Sequence, residues 1–201
     1  PQGTPFVLSG DLNLVGLRQQ LTTLLTGEIV NTGIFGAGGV LDWDETDLLE
    51  FGILPRIEGV YRFDDSKPAV DALFLSHAHT DHYKYISFLK REIPMYCGQT
   101  TKILLDAFTQ TRPSDFEHDL SGIDWKTFRT GDRIRIGSIE VEPVHVDHSI
   151  PAAYGFLVHT SSGTIVYTAD FRLHGPRADL TEDFVEKARA SEPVVMLSEV
   201  P

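Results

Sequence analysis

The chain has 201 residues, 41% of them hydrophobic and 10% aromatic, enough for one domain with a sizeable core and too few for two comfortable ones. A formal net charge of -12 argues against a protein that coats nucleic acid with a broad basic surface, although ions held by carboxylates would supply local positive charge. Apolar runs such as residues 72–75 are too short to span a bilayer, the opening five residues show no signal-peptide pattern, and the lone Cys97 excludes an internal disulfide framework and fits a reducing cytoplasm.

Taken in chain order, Leu14, Leu17, Leu21, Leu24 and Leu25 predict a helix over residues 11–26, with Gly27 just past its end. Four glycines, Gly33, Gly36, Gly38 and Gly39, then interrupt any helix. A second short helix is expected from Thr46, with Asp47 in its first turn and Gly52 at its end. Residues 70–75 read as a buried strand, and residues 81–90 as a helix with Tyr83, Ile86 and Leu89 on its apolar face. A strand over 94–97 and a helix over 100–108 follow, then a polar stretch at 112–119. Two hairpins come next: 133–136 with 139–146 across Gly137-Ser138, and 154–159 with 164–168 across Ser161-Ser162-Gly163. A helix over 181–190, capped by Thr181, and a final buried strand over 193–197 complete the pattern. Tight hairpins mixed with a few helices predict sheets packed face to face with helices outside.

The chemistry concentrates in His77-Ala78-His79-Thr80-Asp81-His82. Imidazole and carboxylate suit zinc or manganese, and no thiolate lies in reach to suggest a purely structural zinc site. On an extended segment, alternation turns His77 and His79 to the same side, where both reach one ion. Asp81 and His82 fall at the turn into the helix and reach a second; two ions roughly 3.5–4 Å apart activate water and stabilise leaving-group charge. A surface loop rich in histidine by chance is the competing reading. Three of eight histidines within six positions, beside an aspartate and after an apolar strand, make it the weaker one.

This run resembles the HxHxDH signature of the metallo-β-lactamase superfamily. His148, in Val146-Asp147-His148-Ser149-Ile150-Pro151, resembles that family's isolated third-motif histidine. Asp170, in Tyr167-Thr168-Ala169-Asp170-Phe171-Arg172, resembles its bridging carboxylate. The likeness covers roughly residues 68–199. It implies that His77, His79 and His148 hold one zinc ion, that Asp81 and His82 hold the other, and that Asp170 lies between them, with manganese as the alternative metal. It further implies an α/β (α+β) fold, the αββα sandwich of two mixed β-sheets flanked by helices, with residues 1–201 as one incomplete domain. Tyr154-Gly155-Phe156 and Asp170-Phe171-Arg172-Leu173-His174-Gly175-Pro176 are similar to the β-CASP nuclease branch, which includes ribonuclease J-like enzymes. In that branch an acidic residue follows a strand where Glu199 stands, so Glu199 is expected to support the active site.

Three departures stand out. Ala169 replaces the family's glycine before the bridging aspartate, a change that is tolerable at negative φ and costly at positive φ. Val200-Pro201 replaces Gly-Thr, and the branch's cap domain and last ligand fall outside these residues, so the chain is expected to be the N-terminal part of a longer enzyme.

Other residues carry weaker expectations. Asp42 sits where the family places an acid that fixes a ligand histidine's tautomer, and a solvated loop acid is the equal alternative. Asp44 is the lesser candidate for that place. His145 competes with His148 on strand alternation alone, and only the resemblance favours His148. His174 is read as either orienting a substrate phosphate or hydrogen-bonded structurally, and Cys97 as core. The expected function is phosphodiester hydrolysis of RNA or single-stranded DNA through metal-activated water, with Asp81 or Glu199 handling protons. A small ester, lactone or thioester substrate and a degenerate, non-catalytic metal-binding subunit are the alternatives. No membrane partner is expected, and the oligomeric state stays open, a homo-oligomer included.

Overall fold

The computed structural model describes residues 6–8, 45–50, 54–111 and 119–198. In the first sheet, β1 (Phe6–Leu8) lies antiparallel to β2 (Ala72–Leu75), which runs parallel to β3 (Met95–Gly98), itself parallel to β4 (Trp125–Phe128). The second sheet places β5 (Ile134–Ile136), β6 (Ile139–Val146), β7 (Ala153–Thr160), β8 (Gly163–Tyr167) and β9 (Val195–Leu197) side by side in chain order. Its first four strands form an antiparallel meander, and β9 closes the edge parallel to β8. The helical elements are α1 (Glu45–Glu50), α2 (Thr80–Tyr83) with a 3-10 turn over Lys84–Phe88, α3 (Gln99–Thr111) and α4 (Ala178–Ala190). None of the described helices is long and apolar enough to cross a membrane.

Strand alternation sorts the side chains into layers. Leu73, Leu75, Met95 and Cys97 face one way, into a cluster with Ile86, Phe88 and Leu105. Ala72 and Phe74 face the other way and meet Phe128, Val141, Phe156, Val158 and Ile165 between the sheets. On the far side of the second sheet, Val144, Val146, Leu157 and Val166 pack on Phe184 of α4. The sequence of layers is helix, sheet, sheet, helix: the αββα sandwich. Phe156, fully buried and edge-on to Phe74 at 5.8 Å, anchors the inter-sheet layer, with burial worth about 2–3 kcal/mol. Gly155 lets α4 sit close, because a Cβ there would stand 2.4 Å from Phe184 Cε2.

Several expectations change. The run from Asp81 is one α turn followed by a 3-10 turn; Tyr83, Ile86 and Leu89 recur every third residue, which fits a 3-10 spacing as well as an α one. Thr181 does not cap its helix, which begins at Ala178 with Arg177 as N-cap; its hydroxyl is buried and bonded elsewhere. The last strand is an exposed edge, with Met196 65% accessible, because apolar content alone does not separate an edge strand from a central one. Strands β1 and β4 are not among the elements that the sequence pattern predicts. The helix expected over 11–26, and the positions Asp42, Asp44 and Glu199, lie outside the described residues.

Candidate metal centre

Strand β2 ends at Leu75, and His79 is itself extended, with φ -76° and ψ 145°, where it precedes α2. His77 and His79 therefore turn to the same side, with His77 Nε2 and His79 Nδ1 3.0 Å apart. Ser76, itself buried, places its hydroxyl 3.1 Å from His77 Nδ1, which leaves Nε2 facing the cluster. The turn of α2 folds His82 back over His77, ring centroids 4.0 Å apart, and buries it. Asp81 stays exposed, its carboxylate 3.8 Å from His82 Nε2.

The second sheet supplies the rest. His148 follows the end of β6, and its Nε2 lies 3.1 Å from His79 Nδ1. Asp170 follows β8, and its Oδ2 lies 3.4 Å from His148 Nε2, 3.5 Å from His82 Nε2 and 3.8 Å from His77 Nε2. One carboxylate oxygen thus faces imidazoles from both sheets. The Tyr154 amide donates to the Ser76 carbonyl at 3.2 Å, and Thr101 of α3 donates to the Ala152 carbonyl at 2.9 Å, so the sheets are tied beside the site. Ala169 adopts φ 48°, the costly case for a non-glycine residue, and directs Asp170 from a strained backbone.

These residues fit a divalent ion. Ligand atoms of His77, His79, His148 and Asp170 all lie within 4.8 Å of one another. A tetrahedral centre with bonds of about 2.0–2.1 Å has ligand–ligand edges of about 3.3 Å, close to the 3.0, 3.1, 3.4 and 3.8 Å of four of the six pairs among these atoms. Two imidazole nitrogens meeting at 3.0 Å share at most one proton, whereas an ion satisfies both lone pairs. Burial, together with His82, His148 and His79, pushes the His77 imidazole down to about 2, and burial also lowers His148, so both present neutral nitrogens.

His145, the rival of His148, hydrogen-bonds with Thr130 through Nδ1 at 2.8 Å and stacks on Tyr154. His174 is exposed and stands outside the cluster, and Cys97 is fully buried in the core. Three contacts at the cluster are not predicted by the sequence pattern: Ser76 on His77, Ser149 Oγ 3.4 Å from His79 Nε2, and the ion pair of Asp147 with Arg172. The only sequence signal for them is a polar residue beside a motif histidine or two positions after the motif aspartate.

Fold and cluster together define an αββα sandwich with a His/Asp group suited to a divalent ion, and the family model of the beta-lactamase superfamily domain matches residues 55–190. The chain belongs to the metallo-β-lactamase superfamily. Within it, the chain is similar to ribonuclease J of Sinorhizobium meliloti, 31% identical over 159 residues, which is 73% of this chain and 27% of that protein. It is also similar to ribonuclease J of Helicobacter pylori, 28% identical over 152 residues, 73% of this chain and 21% of that protein. The chain therefore spans about a quarter of the length of these curated relatives. A crystal structure of a protein of unknown function from Enterococcus faecalis V583 superposes with a TM-score of 0.64 at 28% identity, covering 76% of this chain and 39% of that one.

Proposed function

We propose that this chain, taken as one domain of a longer enzyme, is the metal-binding part of a phosphodiesterase that cleaves RNA. The observation that carries the reading is Asp170 Oδ2 set among His77, His82 and His148, with His79 adjoining. The similarity to ribonuclease J proteins supports RNA over single-stranded DNA. His77 Nε2, His79 Nδ1 and His148 Nε2 would hold one ion, Asp81 and His82 a second, with Asp170 shared. Zinc is the favoured metal and manganese the alternative, given a set of nitrogen and oxygen donors. Bound ions of this kind supply an activated water and neutralise charge on the scissile phosphate. Ser76 and Ser149 orient the rings of His77 and His79, each through the nitrogen turned away from the cluster. Asp81, exposed beside His82, would pass protons to solvent, and the exposed His174, four residues after Asp170, would meet a substrate phosphate.

The net charge of -12 favours a second reading, hydrolysis of a small ester, lactone or thioester by the same residues. The deciding experiment incubates the full natural protein with end-labelled RNA and single-stranded DNA, with zinc or manganese, beside a His79→Ala control. Degradation that vanishes in the control supports the nuclease. A protein that binds ions and leaves both polymers intact, yet turns over a thioester or lactone, replaces it with the second reading.

A further inference from the structure

Strands β6 and β8, which deliver His148 and Asp170, are not neighbours; β7 lies between them. Strand spacing places their axes roughly 9–10 Å apart, so the sheet ladder does not by itself bring His148 Nε2 to Asp170 Oδ2. The ladder ends at Val146 and Tyr167, so the loops that carry His148 and Asp170 beyond it are held by other contacts. Asp147, next to His148, is only 5% exposed, and a nearly buried carboxylate requires partners. Arg172, two residues after Asp170, supplies them: Nε and Nη2 each donate to the Asp147 carboxylate at 3.2 Å, a two-pronged pairing. The backbones are joined as well, Arg172 N donating to Asp147 O at 2.8 Å. Thr181 of α4 bridges the same pair, accepting from Asp147 N at 2.9 Å and donating to Arg172 O at 3.0 Å. The Arg177 amide adds a donor to Asp147 Oδ2 at 3.4 Å. Gly175 closes the loop over this pair, since a Cβ there would fall 1.8 Å from Asp147 Oδ2 and 2.2 Å from Arg172 Nε.

We propose that the Asp147–Arg172 pair, seated on Thr181 and roofed by Gly175, is a positioning clamp that sets His148 against Asp170 and thereby governs divalent-ion affinity. The proposal rests on the reading of His148 and Asp170 as metal ligands. Both clamp residues act through the loops that carry the ligands.

A comparable ion pair elsewhere provides the control. Glu142, 7% exposed on β6, pairs with Arg133 at 2.7 Å on the face turned toward α4, with Lys187 at 3.5 Å. The test measures zinc and manganese dissociation constants of the full natural protein by chelator competition, with the unfolding temperature of each ion-free variant alongside. Arg172→Met and Gly175→Ala are expected to weaken ion binding by about 10–100-fold. Arg172→Lys is expected to recover only part of that loss, since an ammonium cannot make two parallel bonds. Arg133→Met is expected to lower the unfolding temperature while leaving affinity within about twofold. Gly175→Ala removes no charge, so it decides the matter if Arg172→Met does not fold. Unchanged affinity in both clamp variants overturns the clamp alone. A loss that merely tracks unfolding temperature, and appears equally in Arg133→Met, also overturns it. A wild-type protein that takes up no ion overturns both the clamp and the metal reading beneath it.

Discussion

The two sheets feed one cluster by different means. The first sheet delivers His77, His79, Asp81 and His82 within six consecutive residues, and local backbone geometry does the work: an extended segment, then one helical turn. The second sheet delivers His148 and Asp170 from the ends of strands that do not touch, held in register by the β6–β7–β8 ladder and by ion pairing behind it. A site half built from local sequence and half from tertiary packing has two kinds of weakness. Substitutions in the first half should remove a ligand, and substitutions around the second should displace one.

The largest effects break the cluster from either side. His79→Ala and Asp170→Ala should each lower RNA cleavage by more than the roughly 10–100-fold typical of losing an outer-shell contact, and ion titration should show reduced stoichiometry. Equal losses would show that the halves act as one site; a loss confined to His79→Ala would show that the second sheet's contribution is dispensable. Next comes the layer that joins the sheets. Phe156→Ala should cost about 3–5 kcal/mol in chemical denaturation, because Phe156 is fully buried against Phe74 and Phe128.

Acid should loosen the ion-free protein. The folded chain refuses a proton at His77 until about 2, whereas an unfolded histidine accepts one near 6.5. Stability present above about pH 6.5 is therefore lost as pH falls, with a slope of at most about 1.4 kcal/mol per pH unit from His77. His148 and His145, both lowered mainly by burial, add in the same direction. Denaturant midpoints of the ion-free protein between about pH 7.5 and 5 measure this, and a flat profile would contradict the burial of His77.

The smallest effects sharpen the contrast between strained backbone at a helix end and at the site. Glu192 holds φ 48° on the exposed end of α4, so Glu192→Gly should stabilise by about 1 kcal/mol, read as a raised unfolding temperature. Ala169 also holds φ 48°, but its methyl is buried in the inter-sheet core, worth about 0.8 kcal/mol. Relief and lost packing nearly cancel there, and Ala169→Gly should shift the unfolding temperature little.

Much of this was legible in the residues. The strand before His77, both hairpins, the helix after β3 and the buried Cys97 all follow from alternation, turn chemistry and apolar spacing. The readings that changed share a cause. Thr181 carries a good capping side chain, yet tertiary contacts with Asp147 and Arg172 drew it inward and the helix began earlier. The spacing of Tyr83, Ile86 and Leu89 is common to two helix types, and the chain takes the tighter one over Lys84–Phe88 with all three residues in the core. Trp125–Phe128 became β4 by pairing with β3, although Lys126 and Thr127 face solvent and break the apolar pattern.

By itself the sequence determined that His77 and His79 share one side of their segment, because residues two apart on an extended chain point the same way whatever surrounds them. Strand alternation leaves His145 and His148 open as alternatives; in the fold His145 faces Thr130 and Tyr154, while His148 meets His79. The positive φ of Ala169, the role of Ser76 as the partner of His77, and the clamp joining two non-adjacent strands were likewise tertiary decisions. Each depends on distances between segments far apart in the chain, which residue order constrains only after the two sheets have closed on each other.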